Sequence, residues 1–193
     1  MSGSKALAAA NLAAKAALVL LLVFAVTHRD WHQFHGKAMV GRALTYPIAA
    51  LIVPVWWLLR GRPRPYPHAI DLLLVSPFLI DTIGNALNLY DTIDWWDDLN
   101  HLVNWAILTG ACGVALRAKR LDRWVVAGLC VGFGATTAIL WELLEYVTFI
   151  HDSAERATAY TDTLGDLLLG LTGSVIAALL AAMIPRPRRI ANG

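Results

Sequence analysis

Apolar residues run through this chain in long blocks separated by short polar intervals, without the strict alternation of a half-buried strand. Six blocks, near 9–27, 43–60, 69–89, 98–117, 124–150 and 162–184, are long enough, or nearly so, to cross roughly 30 Å of hydrocarbon. The pattern predicts an all-α polytopic membrane bundle with six transmembrane helices, forming one domain over 1–193. Within it, the helices of 9–60 are expected at the periphery and those of 69–184 as a four-helix core. The first block has a short apolar centre, Ala16 to Val26, behind Lys5 and Lys15, and so resembles a signal peptide. No small-x-small cleavage site follows Thr27, so an uncleaved helix is expected, with Lys15 snorkelling to the interface.

Composition agrees with the pattern. Of 193 residues, 58% are hydrophobic and only 16% charged, and the mean hydropathy is +0.55. These values exclude a disordered chain and are unusual for a soluble domain. Charge adds an orientation. The N-terminus, the 60–64 and 117–123 loops and the 186–189 tail hold 12 of the 16 Lys and Arg residues. By the positive-inside rule both termini are then cytoplasmic. All the acids except Asp71 and Asp122 fall on the opposite side. The net charge of +2 hides this asymmetry, so the pI of about 8.7 implies no nucleic-acid role. Cys112 and Cys130 fit no zinc spacing and are expected to pack. His28, His32 and His35 recur at i, i+4 and i+7, but their loop is polar and contains glycine. Solvated histidines are the expectation there.

The chemistry gathers around Trp95-Trp96-Asp97-Asp98-Leu99-Asn100-His101. Paired tryptophans suit a membrane interface, and Asp97, His101 and Asn104 share a face of the helix that follows. Three further segments repeat the theme near the same side: Asp81 with Asn85, Glu142 with Glu145, and Asp162 with Asp166, all at i, i+3 or i, i+4. Arg156, in a loop, is the one nearby cation expected. Six carboxylates crowded in low dielectric cannot all remain ionised uncompensated. A divalent cation (Mg, Mn, Ca or Zn) suits an oxygen-rich ligand set with one imidazole, and facing helix pairs build such cages. Shared protons are the alternative. Asp98 and Asp162 have a simpler reading as helix N-caps. Asp91 and Asp94 read as turn residues, Asn88 and Tyr90 as interfacial. Gly110 and Gly113, and Gly128 and Gly132, are expected to let helices approach closely.

At these residues the chain resembles the uncharacterised bacterial inner-membrane proteins of the YjdF type and, more distantly, is similar to the VanZ-like family. The matching elements are Asp97-Asp98-Leu-Asn-His101, Glu142-Leu-Leu-Glu145, and Asp162-Thr-Leu-Gly-Asp166 followed by Gly170 and Gly173. They agree in order and helical placement over roughly residues 75–180. VanZ-like proteins more often read Glu-x-x-Gln in the second element and carry Asn where Gly170 stands. The resemblance implies a multi-pass bacterial membrane protein, in the VanZ case linked to glycopeptide-antibiotic tolerance.

Three functions compete at this stage. The first is a metal-dependent hydrolase or transferase acting on a lipid or lipid-linked phosphate from the outer leaflet. In it His101, Glu142, Glu145, Asp166 and Asp162 are metal ligands, Asp97 orients His101, Asp81 is general base, and Asn85, Asp98 and Asn104 support the site. The second is a proton- or cation-coupled carrier using the same acids, with dimerisation supplying what one chain lacks. Against it, the inner halves of the last four helices offer few polar residues beyond Thr109, Cys112, Cys130 and the inner-side Asp71. The third is an envelope protein with a structural metal clamp.

Overall fold

The protein is described from a computed structural model covering residues 2–117, 119, 121–151 and 154–184. It is all-helical among these residues. Its helices are α1 (Ser2–Thr27), α2 (Met39–Leu59), α3 (His68–Ala86), the short α4 (Leu89–Thr92), α5 (Trp96–Arg117), α6 (Arg123–Glu145) and α7 (Ala159–Met183). The chain continues past α6 as a π-helical turn, Tyr146–Ile150, and a 3₁₀ turn, Ala154–Ala157. Six helices are long and apolar enough to cross a membrane, and most of their large apolar side chains face outward. That exposure is what a bilayer demands of a helix that is hydrophobic all round.

Helix starts depart from the expected bounds. α2 begins at Met39, just after Ala38 in left-handed conformation, which brings Arg42 into its first turn. α7 begins at Ala159, so Asp162 lies inside the helix, where Thr158 is the N-cap residue. α6 is capped by Asp122, whose carboxylate accepts from the Trp124 amide at 2.8 Å.

Two packing units meet along α3. Leu18, Leu22, Tyr46, Ala50 and Val75 form a core between α1, α2 and α3. Cys130, Val126, Ala127 and Ala178 form another between α6 and α7, with Cys112 of α5 packed on it as a plain side chain. Where α5 crosses α7 the backbones nearly touch. A Cβ at Gly173 would overlap the Leu102 carbonyl oxygen, and one at Gly170 would lie 2.6 Å from Trp105 Cδ1. At α6, Gly134 faces Thr109 and Ser174, whose hydroxyls are hydrogen-bonded at 3.0 Å. The seam expected at Gly128 and Gly132 is absent, since both open onto empty space, and of Gly110 and Gly113 only Gly113 meets a neighbour, Ala181. Gly173→Ala is therefore expected to cost about 1–3 kcal/mol by overpacking against backbone. Gly128→Ala should be neutral or slightly stabilising, as a plain gain in helix propensity. Denaturant unfolding in one detergent compares the two.

Lys15 does not snorkel. Its ammonium lies 2.7 Å from Asp71 Oδ2, a carboxylate with no solvent exposure, and also donates to the Ala50 carbonyl at 2.8 Å. That carbonyl is free because Pro54, four residues on in α2, has no N–H to give it. Asn11 Nδ2 and Tyr66 Oη also donate to Asp71 Oδ2, at 2.8 and 2.6 Å. Burial, then the Asp71 carboxylate, push the Tyr66 phenol above its ordinary range, so it stays a donor.

Candidate metal centre

The N-terminal ends of α5 and α7 and the last turn of α6 converge at the end of the bundle that carries the 28–38 and 87–95 connections. Helical spacing stacks Asp97 over His101 on α5, Glu142 beside Glu145 on α6, and Asp162 over Asp166 on α7. The imidazole of His101, 8% exposed, stands at the centre. Its Nδ1 is 3.5 Å from Glu142 Oε1; its Nε2 is 3.6 Å from Asp166 Oδ1 and 3.9 Å from Asp97 Oδ1.

Those separations are compatible with a shared ion. They are long for N–H···O hydrogen bonds, which cluster near 2.9 Å. Ligands sharing one ion at about 2.0–2.3 Å lie roughly 3–4.5 Å from each other. Two groups, Asp97/His101/Asp166 and His101/Glu142/Glu145, each offer ligand atoms within 4.8 Å of one another. His101 Nδ1 and Glu142 Oε1 are also buried with no hydrogen-bond partner among the described residues. Buried polar atoms left bare cost on the order of 1–3 kcal/mol each, so something is expected to fill the gap between them.

A cavity of about 460 Å³ opens beside this cluster. His101, Asp97, Glu145, Asp162 and Asn104 line it, whereas Glu142 and Asp166 do not. Asp162 is outside both ligand groups, and Asp98 is exposed. Asn104 donates to Asn100 Oδ1 at 3.2 Å, and Asn100, buried, was not foreseen as part of the wall.

Asp81 lines the same cavity but stands outside both ligand groups. Arg42 Nη1 pairs with its Oδ2 at 2.5 Å, Tyr46 donates to the same oxygen at 2.8 Å, and Tyr90 donates to Oδ1 at 2.8 Å. Asn85, buried, donates to the Asp81 carbonyl at 3.0 Å and weakly to Oδ1 at 3.4 Å. Burial first, and then Asp81, raise the Tyr90 phenol well above its usual range, so it remains a donor. Arg42 also donates to Tyr46 Oη. Lys37 pairs with Asp91 at 2.7 Å, tying the first loop to the α3–α5 connection. Among the described residues the cations at the cavity are thus Arg42 and Lys37, while Arg156 is exposed. Asp91 is more than a turn residue and Tyr90 more than an interfacial one. Arg42 escaped the sequence reading because it sits one residue outside the expected span. Its i, i+4 relation to Tyr46 was the available signal.

The family model of predicted membrane proteins designated DUF2238 matches residues 10–187. The chain belongs to that family. It is a multi-pass membrane protein, and the match spans all six long helices. No curated protein and no solved structure matches the chain.

Proposed function

We propose that the His101 cluster is the divalent-metal centre of a membrane-embedded hydrolase or transferase acting on a lipid or lipid-linked phosphate. The distribution of Lys and Arg supports placing it near the extracytoplasmic face of a bacterial inner membrane, with both termini cytoplasmic. The motif order shared with YjdF-type proteins, and more loosely with VanZ-like ones, supports the same setting. One observation carries the reading: a buried imidazole is flanked at 3.5–3.9 Å by carboxylates from three helices, and its Nδ1 faces Glu142 Oε1 with neither atom hydrogen-bonded among the described residues.

His101 offers one ring nitrogen to each of two ligand groups in this reading, Nδ1 beside Glu142 with Glu145, and Nε2 beside Asp166 and Asp97. Asp97, at 3.9 Å, is too far to orient His101 by a hydrogen bond and serves better as a ligand. Asp81, whose oxygens are taken by Arg42, Tyr46 and Tyr90, serves better as the anchor of Arg42 than as a general base. A divalent ion there supplies Lewis acidity toward a phosphoryl oxygen and a more acidic bound water. Asp162, on the cavity wall, is positioned to accept a proton from that side.

The test is metal content. Protein purified without chelator and equilibrated with Mg²⁺, Mn²⁺, Ca²⁺ or Zn²⁺ is expected to retain one of them. Glu142→Gln and Asp166→Asn should lower occupancy at least tenfold. Equally negligible metal in wild type and both variants would falsify the reading. A cation- or proton-coupled carrier is the second reading, and the Lys15–Asp71 pair favours it by putting ionisable groups toward the opposite end of the bundle. Proton flux in liposomes without any lipid turnover would select it.

A further inference from the structure

The wall of the cavity changes character with depth. On α5 its lining passes from Asp97 to Leu108, on α3 from Asp81 to Phe78, and on α6 from Glu145 to Trp141. Each helix thus presents a charged group toward the loop-bearing end and an apolar one toward the middle of the bundle. Along α5 the change spans 11 residues, about 16 Å at 1.5 Å per residue. A metal ion or a small soluble anion needs only the polar end. The floor of Phe78, Leu108 and Trp141 offers such ligands, and water, no hydrogen-bonding partner beyond the Trp141 indole N–H.

The polar end is not purely acidic. Arg42 and Lys37 reach the same cavity from α2 and the first loop. Arg42 is held in place by Asp81, with its guanidinium 5.6 Å from the Tyr46 ring centroid. A planar, preorganised guanidinium beside a metal centre suits a phosphate oxygen more than a neutral or cationic group. The floor closes sideways with aromatic rings: Tyr46 lies 4.9 Å from Phe78 and 6.5 Å from Trp141 between centroids. Side chains that can rotate, rather than backbone, therefore bound the cavity between α2, α3 and α6.

We infer that the cavity binds an amphiphile bearing a phosphate head. The head lies between the His101 cluster and Arg42, and the apolar chain lies along Phe78, Leu108 and Trp141. The head assignment rests on the metal reading above; the chain assignment rests on the cavity alone. Calorimetric titration of full-length, Mn²⁺-equilibrated protein in nanodiscs, with empty nanodiscs as blank, tests both. Dodecyl phosphate is expected to bind at least tenfold more tightly than inorganic phosphate and than dodecyltrimethylammonium. Leu108→Trp, which fills the floor, should abolish the advantage over inorganic phosphate while leaving Mn²⁺ content unchanged. Leu108→Phe provides a milder version if the tryptophan variant does not fold. Equal affinity for dodecyl and inorganic phosphate, with Mn²⁺ retained, would overturn the amphiphile and identify a soluble phosphate ligand. Equal or tighter binding of the cationic amphiphile would overturn the phosphate head. Protein that holds no Mn²⁺ but still binds dodecyl phosphate in a Leu108-dependent way would sink the metal reading and support the chain assignment. Failure to bind either would remove both.

Discussion

Lys15→Met is expected to cost the folded bundle about 3–5 kcal/mol, and adding Asp71→Leu should return most of that loss. The reason is the asymmetry of a buried ion pair. Removing the ammonium leaves a carboxylate with no solvent exposure facing only Asn11 and Tyr66, and strips the Ala50 carbonyl of its donor. Replacing both charges removes the desolvated ions together, and apolar groups of similar size fill the space at little cost. Complete recovery is not expected, because Asn11 and Tyr66 would then lack their common acceptor. Reversible unfolding of the four proteins in one detergent, treated as a double-mutant cycle, measures the coupling. Additive losses would show that the pair is not the unit that fastens α1 to α3.

Asp71 and Asp81 lie ten residues apart on α3, about 15 Å along its axis, and each is neutralised from outside α5–α7. Lys15 of α1 serves one and Arg42 of α2 the other. The first two helices thus do more than surround a core: they bring the cations that let α3 carry two acids through the bilayer. This division explains what could be read along the chain. Six spans are visible because each is a continuous apolar run. The meeting of His101 with Glu142 and Asp166 is foreshadowed because each residue has a polar mate three or four positions away, which fixes the face it shares. Lys15 has no such local mark and Arg42 only its i, i+4 relation to Tyr46, since their acidic partners are 56 and 39 residues distant and only the tertiary fold brings them together. The glycines fail for a related reason. Spacing shows that Gly128 and Gly132 share a face but not which face is turned inward, and the contact falls on Gly134 instead.

Chelation should reverse the stability order of wild type and Asp166→Asn. Without a cation, the wild-type protein gathers Asp97, Glu142, Glu145 and Asp166 around one imidazole, at separations that leave them little screening. Exchanging one carboxylate for an amide relieves that repulsion, so the variant should be the more stable protein in chelator, by about 1–2 kcal/mol. With a cation at a hundred times its dissociation constant, binding to the native state adds about 2.7 kcal/mol to the wild type. The variant, short of one ligand, gains little. The unfolding midpoints are therefore expected to cross as metal is added, and His101→Phe should show no metal-dependent gain at all. A structural polar network gives a different pattern: Asp166→Asn would be destabilised equally with and without cation. Shared protons give a third, in which the midpoints follow pH and ignore the metal. The crossing belongs to the ion alone, because only a charge arriving from solution changes the sign of the carboxylate's contribution while the surrounding contacts stay the same.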